Sequence, residues 1–548
     1  MFKFYCKNQL ALLLIVVTLS GCYEFNHGVA SGDPLVDRVI IWTRVTPTDN
    51  PDKDVEGNWR MASDPEMKQV VQSGPFSTGP DQDFTVKIDV TGLQAGHTYY
   101  YQFSTARVNS PIGRTKTLPI GDVERLKLAV VSCSQYSAGF FNVYGQIANR
   151  NLGDMDLQAV IHLGDYLYEY GPRQFGDASL VGREALPDKE IINLTDYRIR
   201  HGQYKTDVDL QALHATHPII AVWDDHEFAN DTYQGGAANH QAEEGAWVER
   251  KAAALQAYYE WMPIRESENR ENIYRQFNFG RLASLSMLDA RLIGRDKPLD
   301  FQQAIIDPDA FSTELTKADR QLLGDKQAAW LAARLTDSAN SRWQLIGQQV
   351  MMGQLSRPLI PNLINDPLLA NNNQLAALGN ELVAAGKLSG LGMPINLDAW
   401  DGYPSARSNV LSMFEKMDNV VVLTGDLHNA WALELVKDED LAGVYDPASG
   451  AGAVAVELLT PSVTSPGFEA SFPTALLDLL AQILKNKNPH IKYANLKNRG
   501  YLMLDITQEK LQAQWFFTPS EFVASLEEIA GPMFEVQAGS NHLVKVVN

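Results

Sequence analysis

Four apolar runs in this chain end abruptly in side chains that bind metals. LAVVSC ends at Cys133, AVIHLGDYLY carries Asp165 and Tyr168, IIAVWDDHE delivers Asp224, Asp225 and His226, and NVVVLTGDLH delivers Asp426 and His428. Runs of β-branched and aliphatic residues read as strands buried on both faces. Strands that all present oxygen, nitrogen or sulfur donors at their ends can bring those donors together at one sheet edge, which is how a polynuclear metal site is built.

Taken singly, each run is ambiguous. Aspartate after glycine at a strand end is commonly a turn residue or a helix N-cap, and Asp225-His226-Glu227 fits a solvated loop. His162, inside its apolar strand, reads as a satisfied core histidine. The conjunction is what points to a metal. A turn beginning at Asp165 lets its carboxylate and the Tyr168 phenol face one ion, and Asp426 and His428, two apart, share a side if the backbone is extended.

Donors so far apart in sequence need a scaffold that returns repeatedly to one edge. From about Arg125 onward, long apolar strands alternate with helical stretches such as residues 244–261 and 325–335, which predicts a layered α/β fold. Residues 27–119 read differently. Short alternating segments such as DRVIIWTRV and DFTVKIDV, and the strand, turn and aromatic strand of residues 90–106, predict an N-terminal β-sandwich of fibronectin or immunoglobulin type. Without a cysteine pair, the fibronectin-like version is preferred. Residues 296–319 and 355–397, rich in Asn, Pro and Gly, read as insertions that form lids or substrate loops or are disordered.

The 548 residues carry 66 Asp and Glu against 46 Lys and Arg, a formal charge of −20. Long anionic polymers are repelled by such a surface, so no nucleic-acid binding is expected. A small anion can still enter, because bound cations dominate the potential inside a cleft. At the start of the chain, Lys3, Lys7, the apolar residues 10–19 and Leu19-Ser20-Gly21-Cys22 read as an export signal. The run is too short to span a bilayer comfortably. LSGC is similar to the bacterial lipobox, whose cysteine is acylated; an ordinary secretory peptide cut nearby is the alternative. No Asp follows Cys22, so the expectation is a periplasmic lipoprotein anchored to the outer membrane through lipid on Cys22. Of three cysteines, Cys6 leaves with the signal and Cys133 alone remains in the body. A lone thiol in an oxidising compartment is either deeply buried or a metal partner.

These segments resemble the alkaline phosphatase D (PhoD) family, a branch of the metallophosphoesterases related to purple acid phosphatases. The matching text is HGVASGDPLVDRVIIWTRVTP from His27, SCSQY from Ser132, HLGDYLYEYG from His162, WDDHEFAND from Trp223, LDARLIGR from Leu288, WDGYPSAR from Trp400, LTGDLHNAW from Leu423 and NRGY from Asn498. The resemblance implies an N-terminal fibronectin-like domain at 23–120 after a lipoprotein signal at 1–22. It further implies a catalytic domain at 121–548, a sandwich of two sheets flanked by helices with metals at the strand ends. Cys133, Asp165 and Tyr168 would hold ferric iron (Fe3+), with Asp426 and His428 completing the shell. Asp225 and Asn230 fall where neighbouring calcium (Ca2+) draws oxygen ligands, and which of the two binds directly is left open.

The chemistry agrees with those assignments. Thiolate and phenolate favour a trivalent iron, whereas carboxylate and amide oxygens suit calcium. Ferric iron can acidify bound water to hydroxide, which would attack phosphorus in phosphomonoesters and phosphodiesters. His226 either donates a proton to the departing alkoxide or supports a ligand through a hydrogen bond. Arg291, Arg295 and Arg407 either stabilise transition-state charge or hold structural ion pairs. Met351, Met352 and Trp343 read as core or pocket wall.

Two features depart from the family. Many relatives carry a twin-arginine signal and fold before export, whereas lysines and a lipobox here imply metal uptake outside the cytoplasm. The insertion at 355–397 leaves the substrate open, a small phosphate ester or a phospholipid. The competing readings are a phospholipase D-type phosphodiesterase and a catalytically inactive surface-binding lipoprotein. The oligomeric state is not written in the sequence.

Overall fold

The runs that read as strands are strands, and solvent reaches neither face of them. Ala159–His162, Ile219–Ala221, Trp343–Gln348 and Val420–Thr424 consist entirely of buried residues, as expected of parallel strands covered above and below. Arg125–Val131 pairs in parallel with Ala159–His162, and that strand with Ile219–Ala221, near the middle of a ten-stranded sheet. Ala283–Met287, Trp343–Gln348, Val420–Thr424 and Ala453–Leu459 run parallel in a seven-stranded sheet. The computed structural model behind this description covers residues 23–48, 52–150, 156–355, 394, 396–437, 443–470 and 472–547. The export signal with Cys22, and residues 356–393 and 395 of the second insertion, lie outside the described residues.

Alternation along the strands sorts the layers. Leu345, Val421 and Leu423 point into one core with Val130, Ile161 and Leu502 of the larger sheet. Their neighbours Ile346 and Val422 point the other way, onto Leu331 and Leu335 of helix Gly324–Asp337 and Val410 and Phe414 of helix Pro404–Phe414. Tyr144, Leu210 and Tyr258, from helices Asn142–Asn149, Val208–Thr216 and Trp247–Trp261, join the first core. The result is the predicted α/β sandwich of two sheets flanked by helices.

The N-terminal β-sandwich is present too. A four-stranded sheet built from Val55–Ala62, Val70–Thr78, Thr98–Ser104 and Gly113–Lys116 packs Met61, Phe76, Tyr101 and Phe103 against Val39, Ile41, Val86 and Val90. Those last four residues sit on Arg38–Arg44 and Thr85–Thr91, strands of the ten-stranded sheet itself. Gly32 makes the join by pairing with Ile219. A Cβ there would stand 2.2 Å from the Pro263 carbonyl oxygen, so only glycine fits. Next to it Asp33, fully buried, accepts hydrogen bonds from Arg275 Nη2 at 2.6 Å and Arg265 N at 2.8 Å. The SGDP tetrapeptide is therefore the seam between the N-terminal strands and the body.

Two expectations shift. The helix expected over 244–261 begins at Trp247, because Gly245 at φ 97° separates it from a 3-10 turn at Ala242–Glu244. Residues 296–319 contain two helices, Phe301–Ile306 and Pro308–Leu315, which bury Ala304, Phe311 and Leu315 with Leu397. Asp307 caps the second helix by accepting from Ala310 N at 3.0 Å. Among the described residues no helix is long and apolar enough to cross a membrane.

Five histidines are stored in this scaffold as neutral core groups. His162, His201, His214, His217 and His490 are buried, and burial lowers His162 to about 3 and His217 and His490 to about 4, with His201 and His214 well below the usual value. Each folded pKa lies below its unfolded one, so on acidification the unfolded chain takes up protons first. Stability is therefore complete above about pH 6.5 and is lost as pH falls toward the folded values, by up to about 1.4 kcal/mol per pH unit for each histidine. Urea midpoints measured from pH 7.5 down to 5 are expected to drop steeply, and a flat profile contradicts the assignment.

Candidate metal centre

The chain leaves its parallel strands through strained backbone. Cys133, Asp165, Asp426 and His428 all adopt left-handed conformations, with φ of 62°, 54°, 58° and 60°. Each costs about 1–3 kcal/mol for a residue with a Cβ and persists only where its surroundings over-determine it. Asp426 and His428 are thus not on one side of an extended strand. The turn itself aims both at the same centre. The glycines before the two aspartates allow strand ends to close up: a Cβ at Gly164 would stand 2.5 Å from Asp224 Cβ, and one at Gly425 2.9 Å from Ser132 Cβ.

Glu227 ties two of these turns together. Its buried carboxylate accepts from Tyr166 N at 2.6 Å, Asp224 N at 2.8 Å and Asp165 N at 3.1 Å. Glu227→Ala removes the acceptor of all three hydrogen bonds at once, and the loops that carry the donors lose their mutual register. Metal affinity is expected to fall by about 10–100-fold, read by competition with a chelator.

Three groups of donors meet, not at one sheet edge as expected, but where strand ends of the two sheets converge: Cys133, Asp165, Asp224 and Asp225 follow strands of the ten-stranded sheet, Asp426 and His428 a strand of the seven-stranded one. The ligand atoms of Cys133, Asp165 and His428 lie within 4.8 Å of one another, as do those of Asp165, Asp225 and His226 and those of Asp224, Asp225 and Asp426. Donors so spaced can share a cation at ordinary bond lengths of about 2.0–2.6 Å. Asp165 belongs to the first two groups and Asp225 to the last two, so the groups are continuous. Tyr168 closes the first: its hydroxyl stands 3.0 Å from both Asp165 Oδ2 and His428 Nε2. His428 Nδ1 must donate to the Pro466 carbonyl at 2.7 Å, which leaves the Nε2 lone pair facing the phenol. One phenolic proton cannot serve two acceptors, and a cation at that point satisfies all of them.

Electrostatics gives the same result. Burial, then the neighbouring carboxylates, push Asp165 and Asp224 well above the usual carboxylate range, and Asp426 to about 7. Burial also raises the Cys133 thiol and the Tyr168 phenol. Asp225 goes the other way, to about 2: burial opposes ionisation, but Arg291 and His226 overcome it. Asp224 Oδ2 and Asp225 Oδ1 are buried and accept no hydrogen bond. So many crowded anionic donors, two of them with orphaned oxygens, fit a centre that cations complete.

His226 lies at the centre of a small relay. Its Nδ1 meets Glu169 Oε2 at 2.7 Å, which leaves Nε2 as the ring nitrogen turned to other work. Burial alone would strip its proton, but Asp225, Asp165 and Glu169 hold its pKa well above the ordinary value. Glu169 is fully buried and also accepts from Asn230 N at 2.7 Å and Asn239 Nδ2 at 2.8 Å. Asn230 is thereby held beside the centre through its backbone.

The arginines separate by location. Arg291, fully buried, bonds Asp224 through Nε, Asp398 through Nη1 at 2.7 Å and Asp426 through Nη2 at 2.7 Å, with Asp225 Oδ1 3.5 Å away. Arg295 pairs with Asp398 and donates to the Ala290 carbonyl at 3.1 Å. Both are counter-ions of the acidic cluster. Arg407 is elsewhere, donating to the carbonyls of Met352 at 2.7 Å and Val436 at 3.2 Å. Met351, Met352 and Trp343 are core residues. Sequence reasoning named Asp224 as a strand-end donor and Glu227 as part of a solvated loop without giving either a role at the centre, and it passed over Glu169, Asp398 and Arg499. The last is buried, pairs with Glu469, and lies close enough for its charge to act on Tyr168 and Cys133. Asp224, Glu169, Glu227 and Arg499 stand inside the quoted segments, so the signal was present; Asp398 stands at the edge of the insertion, where none was. A groove of about 600 Å3 lined by Asp231, Tyr233, His240, Lys297 and Asp398 adjoins the cluster.

Known proteins match this chain along most of its length. The family model described as PhoD-like phosphatase matches residues 128–515, and the model of the PhoD-like phosphatase N-terminal domain matches residues 17–119. Alkaline phosphatase D of Bacillus subtilis (strain 168) is 35% identical over 516 residues, covering 91% of this chain and 78% of the relative. A solved structure described as the structure of PhoD superposes with a TM-score of 0.76 at 30% identity, covering 95% of this chain and 92% of that one. These matches show that the chain belongs to the PhoD-like phosphatase family.

Proposed function

We propose that this protein is a metal-dependent phosphoesterase that hydrolyses phosphomonoesters and phosphodiesters outside the cytoplasm, tethered to the outer membrane by lipid on Cys22. The observation that carries the reading is the continuity of the three donor groups through Asp165 and Asp225. Cations held there would supply a Lewis acid for the phosphoryl oxygens and a water acidic enough to attack phosphorus. The buried thiol and phenol of Cys133 and Tyr168 suit Fe3+, and the carboxylate of Asp225 suits Ca2+; Asp426, assigned to the iron shell by the resemblance, is assigned here to the calcium side because its ligand atom groups with those of Asp224 and Asp225. Arg291 and Arg295 hold the carboxylates in register. His226, oriented by Glu169 and left outside the cation shell that Asp165 and Asp225 connect, donates a proton from Nε2 to the departing alkoxide.

Elemental analysis and a visible absorption spectrum of the purified chain test the metal assignment. Iron and calcium are expected, with a charge-transfer band that Tyr168→Phe shifts or abolishes while circular dichroism is unchanged. Hydrolysis is followed in parallel on a nitrophenyl monoester, a nitrophenyl diester and phosphatidylcholine. Turnover of diesters without monoesters favours the phospholipase D-type activity. A metal-free chain that stays inert after supplementation favours a surface-binding lipoprotein.

A further inference from the structure

The segment that follows Tyr168 folds back over the donor cluster and lays aromatic rings on it. Phe175 stacks on Tyr168, with ring centroids 5.5 Å apart and planes 21° from parallel, and lies 6.3 Å from the His226 ring at 17° and 6.1 Å from His428. Tyr170 stands 5.3 Å from the His226 ring and 5.5 Å from Phe175. Both Tyr170 and Phe175 are half-buried rather than enclosed, so part of each ring's surface is open to another molecule.

The placement is built, not incidental. Gln135, two residues beyond Cys133, donates from Nε2 to the Phe175 carbonyl at 3.2 Å, and its Oε1 is fixed by the Tyr204 hydroxyl at 3.0 Å. Gly171 N donates to Gln174 Oε1 at 2.8 Å, closing the turn between the two aromatic residues. Gly176, at φ 79°, lies against Ala138, where an added Cβ would come within 3.0 Å of the Ala138 Cβ. The loop is thus pinned to the same strand end that carries the thiol.

We infer that Tyr170 and Phe175 are the leaving-group wall of the site and select esters whose departing alcohol carries a flat apolar group beside the bridging oxygen. The inference rests on the phosphoesterase reading above. A proton donor must face the oxygen that departs, so the rings flanking His226 flank the alcohol as well. An aromatic ring of the substrate gains both buried area and offset stacking against Phe175.

Benzyl phosphate and propyl phosphate test this, because their alcohols are similar in basicity and differ in the flat group; each is supplied as monoester and as methyl diester. The metal-loaded wild-type protein is expected to favour the benzyl ester by about tenfold or more in kcat/KM. Phe175→Ala and Tyr170→Ala are expected to lower kcat/KM for the benzyl ester about tenfold more than for the propyl ester, chiefly through KM, with Phe175→Leu intermediate. Should a variant fail to fold, inhibition of the wild-type protein by benzylphosphonate and propylphosphonate gives the same comparison, the benzyl compound binding about tenfold tighter. Equal wild-type rates on the two esters, or equal losses on both in the variants, overturn the inference while the phosphoesterase reading stands. A metal-loaded protein that hydrolyses none of the four esters overturns that reading, and this inference with it.

Discussion

Asp165→Asn is expected to lower kcat/KM by at least about a thousandfold and to release metal from the purified protein. Asp165 is the carboxylate common to the thiol-bearing donor group and the His226 group, and its Oδ2 lies 3.0 Å from the Tyr168 hydroxyl. An amide keeps the shape and removes the charge, so both groups lose a ligand that neither Asp225 nor Asp426 can replace. The folding consequence has the opposite sign in the metal-free chain. Burial and then Asp225, Glu227 and Asp426 disfavour the ionised form of Asp165, so a neutral side chain relieves repulsion and the apoprotein is expected to be at least as stable as the parent. Activity, metal content and the urea midpoint of the chelator-treated protein check the three parts. Full activity with bound metal retained would remove Asp165 from the centre.

His226→Ala is expected to slow alkyl esters by about 10²–10⁴-fold and nitrophenyl esters far less. A nitrophenolate leaves without help, whereas an alkoxide needs a proton as the bond to phosphorus breaks. Glu169 at 2.7 Å from Nδ1 holds the ring in place, so Glu169→Gln should reproduce part of the defect with the same dependence on the alcohol. The alternative role, support of a ligand, predicts equal losses on both ester classes together with lower metal content. Rates plotted against leaving-group basicity for wild type and variant separate the two: a steeper slope in the variant marks a proton donor, and parallel lines mark a supporting residue.

Much of the centre is legible in the chain because buried parallel strands and the residues that end them are local features. An apolar run such as residues 420–424 followed by Gly-Asp-Leu-His states both its own burial and the donors it delivers, and Cys133, Asp165, Tyr168, Asp225, Asp426 and His428 were readable on that basis. What failed was reasoning about conformation. Asp426 and His428 were read as sharing a side on the condition of an extended backbone, and both are left-handed, a strained state that no local preference specifies. Gly245 shortened a helix that periodicity alone carried three residues further toward the N-terminus.

The sequence by itself determined that strand-end donors exist, that one thiol stands among them, and that two glycines precede two of the aspartates. Only the tertiary structure decided their partners. Glu169 serves His226, Glu227 clamps the turns of Asp165 and Asp224, Arg291 is spent on three carboxylates, and Phe175 lies over Tyr168. The physical reason is range. A strand and its terminal residue are set by neighbours a few positions away, whereas a carboxylate's partner is set by which side chain the folded sheets bring within about 3 Å, often from more than fifty residues off.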